Sequence, residues 1–115
     1  MSGQDLLNRI NFNENGLVAA IVQSENTSEV LMLAWMNEES FRQTLATKQA
    51  VFWSRSRNEI WHKGATSGNT QEVRSIAIDC DGDALLIRVA ENGPACHTGL
   101  PSCFDTASIE GKELS

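Results

Sequence analysis

At 115 residues, with 41% hydrophobic and 21% charged side chains, the chain is sized and composed for one globular domain, and the low-hydrophobicity, high-charge signature of disorder is missing. A formal net charge of −6 opposes binding to a phosphate backbone, so DNA and RNA are not expected partners. The longest uncharged apolar run, Val30 to Met36, falls far short of the roughly 20 residues needed to span a bilayer. The polar N-terminus also lacks a secretory pattern, and a cytoplasmic protein without membrane attachment is expected.

No repeat or linker divides residues 1–115, which read as a single domain. After the polar stretch Met1 to Phe12, Asn15-Gly16 predicts a turn into a strand over Leu17 to Gln23. Val30 to Met36 predicts a second strand, joined to the first through Glu25 to Ser28 as a hairpin. Asn37 offers an N-cap, and Glu38 and Glu39 place negative charge where the helix dipole favours it. Phe41 and Leu45 then share a buried face of a helix over about 38–48, while Glu38, Arg42 and Gln49 face water. Strands follow over Ala50 to Arg55, Asn58 to Lys63, Arg74 to Asp79 and Ala84 to Ala90. The last two are separated by Asp81-Gly82, a dipeptide that tolerates positive φ and favours tight hairpins. From Asn92 onward, Gly93, Pro94, Gly99 and Pro101 mark a loop that carries Cys96 and Cys103, and the tail from Asp105 is polar. The expected class is α+β, mainly β, built of antiparallel strands and hairpins with about one main helix.

Asp79, Asp81 and Asp83 put three carboxylates within five positions at a hairpin tip. Their mutual repulsion calls for a cation or for full solvation. Hard oxygens suit Mg²⁺. An EF-hand loop does not fit, because Ala84 and Ala90 stand where that loop needs Gly and a bidentate Glu. Cys80 alternates with the aspartates and points to the opposite side of an extended segment.

Thiolates are soft ligands that favour Zn²⁺, and a catalytic zinc commonly takes three protein ligands and leaves a position for water. Cys80, Cys96 and Cys103 supply that count, and an odd number of cysteines cannot all pair as disulfides. A closed Cys₃His site that uses His97 is the structural alternative, and a redox-sensing thiol protein is another. Adjacent Cys96 and His97 would strain to reach one metal, which favours His97 as a base beside the site. The cysteine spacing matches neither a zinc ribbon nor the zinc deaminases.

The segment Trp61 to Asn69 adds a candidate ligand loop. Gly64 and Gly68 permit close backbone approach, Thr66 and Ser67 offer hydroxyls, and Lys63 with Arg55 and Arg57 offers charge for a phosphate. Trp53 and Trp61 could stack on a base, although a strand aromatic is more often part of the core.

In order along the chain, Ser54-Arg55-Ser56-Arg57, Trp61-His62-Lys63-Gly64-Ala65-Thr66-Ser67-Gly68-Asn69, Asp79-Cys80-Asp81-Gly82-Asp83, Ala95-Cys96-His97-Thr98-Gly99 and Ser102-Cys103-Phe104 closely resemble the phosphoribosyl-AMP cyclohydrolase family of histidine biosynthesis. The resemblance extends from about Gly16 to Phe104 and includes Leu31-Met32-Leu33-Ala34-Trp35-Met36-Asn37. It implies hydrolytic opening of a purine ring between N1 and C6 in a small phosphorylated nucleotide, with Cys80, Cys96 and Cys103 as zinc ligands and Asp79, Asp81 and Asp83 as magnesium ligands. It also implies an intertwined homodimer in which Cys80 of one protomer joins Cys96 and Cys103 of the other. His97 would move a proton between the attacking water and the ring nitrogen. Arg55, Arg57, Trp61, Lys63, Thr66, Ser67 and Gly68 would hold substrate. Many relatives carry a second, pyrophosphohydrolase domain after the Cys-Phe motif, and a monofunctional enzyme is expected here.

Overall fold

The computed structural model describes residues 1–114. Its elements are α1 (Gly3–Leu7), β1 (Val18–Ser24), β2 (Val30–Met36), α2 (Glu38–Thr47), β3 (Val51–Ser54), β4 (Glu59–His62), β5 (Gln71–Ile78) and β6 (Ala84–Glu91), followed by short 3₁₀ turns at Cys103–Asp105 and Gly111–Glu113. The six strands form one sheet in the order β4-β3-β2-β1-β6-β5. The architecture is thus mainly β with one main helix, as the sequence pattern predicts.

Antiparallel pairing joins every neighbour except β1 and β6, which run parallel with Ile21 opposite Leu86 and Val22 opposite Ile87. The expected antiparallel strands and hairpins are present, and this one parallel pair joins them. Both strands are apolar along most of their length and alternate between buried and half-buried positions. They close the sheet through a long-range contact that no local turn signal marks.

Helix α2 starts where Asn37 accepts from the Ser40 N–H at 2.8 Å while the Ser40 hydroxyl accepts from the Asn37 N–H at 2.9 Å, a reciprocal cap. It ends at Lys48, whose left-handed backbone (φ 60°) turns the chain toward β3. The buried Thr44 hydroxyl donates to the Ser40 carbonyl at 2.9 Å and accepts from the Val51 N–H at 3.1 Å, which staples the helix to β3. Gln49, expected to face water, is half-buried instead and meets His62 Nε2 at 2.7 Å.

The N-terminal stretch also forms more than a polar lead-in. Ser2 and Asp5 make a second reciprocal cap, and Leu6, Leu7 and Ile10 bury against the sheet. The core is one-sided: Val18, Ala20 and Val22 of β1, Leu85, Ile87 and Val89 of β6, Met36 of β2 and Phe52 of β3 form one buried cluster with Phe41 of α2. On the opposite face Leu33, Ile21, Leu86 and Ala77 stand in register across β2, β1, β6 and β5, with Leu33 49% exposed. No helix among the described residues is long and apolar enough to cross a membrane.

Candidate functional site

The turn between β5 and β6 holds the acidic cluster. Oxygen atoms of Asp79, Asp81 and Asp83 lie within 4.8 Å of one another, and all three side chains are exposed. Asp79 also shapes the turn, because its Oδ1 accepts the N–H groups of Asp83 and Ala84 at 3.0 and 3.2 Å. Burial acts to raise the Asp79 pKa, but hydrogen bonds from the Asp83 side chain, from those two N–H groups and from Asp81 outweigh it and hold the carboxyl below its ordinary range. Asp83 moves the other way, to about 6, through hydrogen bonds with Asp81 and Asp79 and repulsion from their charges. Asp83 thus gives up its proton only as pH climbs through about 6, where three carboxylate charges crowd together, and a divalent ion with oxygen preference suits this donor set. Gly82 reverses the turn at φ 78°. A Cβ there would sit 2.5 Å from the Arg9 carbonyl, so the position admits only glycine.

Cys80 is exposed within this turn. Cys96 and Cys103 sit beyond the far end of β6. That strand spans roughly 25 Å at ~3.3 Å per residue, so one chain does not bring all three thiols together. Among the described residues, the aspartates are the sole group of three or more His, Cys, Asp or Glu side chains close enough to share an ion.

The segment Ala95 to Pro101 closes on itself. Ala95 N–H donates to the Pro101 carbonyl and Cys96 N–H to that of Leu100, each at 3.1 Å, while Gly99 N–H returns to the Cys96 carbonyl at 3.0 Å. Ser102 fastens the loop to β2 through its hydroxyl, which donates to the Val30 carbonyl at 2.7 Å and accepts the Phe104 N–H at 3.0 Å. Within the loop the buried Cys96 Sγ lies 3.0 Å from the Thr98 hydroxyl. That hydroxyl, the Thr98 N–H, Cys103 and the Lys63 charge together lower the Cys96 pKa against the opposing effect of burial. Burial, the charge and hydrogen bonding of Cys96 raise the Cys103 pKa, and Lys63 counters in part. The two thiols therefore share one environment, with the Cys96 thiol the readier to ionise. Thr98 and Ser102 act at this site, although within their motifs the sequence assigned neither of them a role. Their hydroxyls flank the cysteines, which is the signal that could have found them.

Opposite this loop lies the segment after β4. Arg57, Trp61, Lys63, Thr66 and Ser67 line a cleft of about 610 Å³ together with Cys96 and His97. Of the other residues expected at the ligand loop, Gly68 stays outside this lining. Arg55 is turned away and stacks on the Trp35 ring at 4.8 Å, beside a separate hollow floored by Leu17 and Trp53. The loop is tied down by Asn92, whose Nδ2 donates to the Gly68 carbonyl at 3.1 Å and whose N–H donates to the Thr70 carbonyl at 2.9 Å. Trp61 is 38% exposed and half-covers Phe52, with ring centroids 5.6 Å apart. Lys63 is 7% exposed, and its Nζ donates to the Ala95 carbonyl at 2.7 Å. The cleft therefore joins an apolar ring, hydroxyls, an arginine, a histidine and the Cys96 thiol, a combination suited to a small phosphorylated aromatic ligand beside a soft metal.

The family model described as phosphoribosyl-AMP cyclohydrolase matches residues 32–105. Among curated proteins, the "Phosphoribosyl-AMP cyclohydrolase" of Chlorobaculum tepidum is 52% identical over 111 residues, covering 96% of this chain and 81% of the relative. The protein of the same name from Micrococcus luteus is 58% identical, covering 96% and 83% of the two chains. That from Clostridium botulinum is 56% identical, covering 95% of this chain and 100% of its own.

Proposed function

Because the chain belongs to the phosphoribosyl-AMP cyclohydrolase family and is accordingly a hydrolase, we propose that it opens the purine ring of 1-(5-phosphoribosyl)-AMP between N1 and C6, with zinc as its metal, in histidine biosynthesis. The cleft that sets Cys96 and His97 against Trp61, Arg57, Thr66 and Ser67 is the observation that carries this reading. The aromatic ring faces the base, the arginine and hydroxyls face phosphate or ribose, and the histidine lines the same cavity as the Cys96 thiol.

Cys80, Cys96 and Cys103 would hold the zinc, and Asp79, Asp81 and Asp83 a magnesium ion. Bound zinc supplies water activated near neutral pH, which attack on an aromatic carbon requires. His97 moves a proton between the attacking water and the ring nitrogen. Arg55, Arg57, Lys63, Thr66, Ser67 and Gly68 form or border the substrate-holding segment, with Trp61 beneath the base. The cytoplasm is its compartment, and residues 1–115 work as one domain.

The separation of Cys80 from the other two thiols supports a homodimer with a shared metal centre. The apolar row Leu33, Ile21, Leu86 and Ala77 supports it too, as a face that a second copy could cover. The test of the chemistry is metal analysis coupled to an ultraviolet assay of ring opening, with and without chelator. Full turnover after removal of all zinc would overturn the assignment. The test of the sharing is co-expression of Cys80→Ser with Cys96→Ser. Each variant alone is expected to be inactive. Random pairing leaves one intact site in half the dimers and restores about a quarter of wild-type turnover. No recovery would place all three ligands on one chain.

A further inference from the structure

We propose that Lys63 is a positioning residue for the cysteine loop: its buried ammonium grips the Ala95 carbonyl, fixes Cys96 beside Cys103, and balances the negative charge of a thiolate-held metal. The inference rests on the reading of these cysteines as zinc ligands.

Lysine is almost never fully buried unless its charge is matched. Lys63 is 7% exposed, and among the described residues it makes no salt bridge. Its neutral polar partner is the Ala95 carbonyl at 2.7 Å, and the Trp61 ring lies 5.6 Å from Nζ. Neither cancels a full charge. Cys96 lines the same cleft as Lys63 and directly follows the Ala95 carbonyl that the ammonium grips. Three thiolates on one dication leave a net charge of about −1, the amount that one ammonium neutralises. The surroundings of Lys63 thus make sense once the thiols are ionised on a metal.

The geometry adds a mechanical role. Lys63 N–H donates to the Ala50 carbonyl at 3.1 Å, so the backbone that bears the ammonium is anchored at the junction of α2 and β3. At the other end, Ala95 immediately precedes Cys96, and the bonds from Ala95 and Cys96 to Pro101 and Leu100 close the loop around the cysteine. Fixing the Ala95 carbonyl fixes the peptide plane between Ala95 and Cys96, and with it the direction in which the thiol leaves the chain. An ammonium carries three donors. One is held by Ala95, and Lys63 also lines the substrate cleft, so positioning and phosphate contact are separable by experiment.

The experiment compares Lys63→Met, Lys63→Gln and Lys63→Arg in the full-length protein. Zinc affinity is measured by competition with a chromophoric chelator, and the thiolate-to-metal charge-transfer band is recorded after cobalt substitution. Met and Gln variants are expected to bind zinc about 10- to 100-fold more weakly, with a shifted or weakened cobalt band. The Arg variant keeps both charge and donors, and it is expected to recover most of the loss. Near-ultraviolet circular dichroism checks folding, and if the Met variant does not fold, the Gln variant decides. Folded Met or Gln variants that bind zinc as wild type does, with only KM for the nucleotide raised, would overturn the positioning role and return Lys63 to substrate binding alone. A wild-type cobalt protein without any thiolate band would overturn the cysteine reading and the inference with it, a result distinct from failure of the Lys63 role.

Discussion

Alanine placed at Gly64 and, separately, at Gly68 isolates a steric collision from a backbone penalty. Both glycines adopt φ 81°, so an added side chain pays the same left-handed cost at each, about 1 kcal/mol. Their surroundings differ. A Cβ on Gly68 meets nothing within 4 Å, whereas one on Gly64 would lie 2.4 Å from the Asn69 carbonyl carbon and the Thr70 nitrogen and 2.6 Å from the Asn69 oxygen. These are backbone atoms that cannot rotate away, and such overpacking adds about 1–3 kcal/mol. Gly68→Ala is therefore expected to cost about 1 kcal/mol and Gly64→Ala about 2–4 kcal/mol, or very roughly 4 °C of melting temperature per kcal/mol for a domain of this size. Urea denaturation monitored by tryptophan fluorescence, at matched protein concentration, measures the difference. Because Gly64 adjoins Lys63 and leads into Thr66 and Ser67, its variant should also raise KM more than the Gly68 variant does. Equal stability losses for the two would refute the argument that the Gly64 turn is closed by contact with Asn69 and Thr70.

Replacement of His97 by Ala should lower turnover about 100- to 10,000-fold while zinc content, read by metal analysis, is unchanged. Loss of zinc together with activity would instead make His97 a ligand. For the acidic turn the sign follows from Asp83, whose pKa rises to about 6 in the fold: its contribution to stability is present below the ordinary carboxylate pKa and is lost as pH climbs through about 6. A divalent cation removes that penalty, so Mg²⁺ should stabilise the protein against urea more at about pH 8 than at about pH 5, and equal stabilisation would count against the site. Asn37→Ala removes the cap of α2 and should cost about 1 kcal/mol in the same denaturation assay, with little change in KM because Asn37 is not among the residues that line the cleft of Cys96 and His97.

Local chemistry made much of the fold legible. Val30–Met36 is an apolar run between a polar turn and a capping asparagine, and the strand has those bounds. The start of α2 follows from Asn37 and two glutamates, and the β5–β6 turn follows from Asp81-Gly82. The early helix was hidden because five residues carry too little periodicity to register, although Ser2 and Asp5 stand at the spacing of a capping box. Strand β5 begins at Gln71, three positions before the apolar pattern suggests, because that polar residue is itself buried, its amide 3.4 Å from Met32 Sδ. Its packing is set by tertiary contacts that composition does not reveal.

The site divides along the same line. Three aspartates at a hairpin tip can be read as one cluster because neighbours in sequence are neighbours in space. The thiols cannot be read so directly: whether Cys80 meets Cys96 depends on whether the chain between them stays extended and on what lies beyond each of its ends. Strand β6 runs unbroken between them and leaves the two halves of the cysteine set at opposite ends of a span roughly 25 Å long. Lys63 shows the same limit. Beside Gly64, Thr66 and Ser67 its charge reads as a phosphate contact, and only the folded chain reveals that the ammonium is withdrawn onto Ala95. An ammonium buried against the cysteine loop, without a carboxylate to match it among the described residues, argues that the charge it answers arrives with the metal.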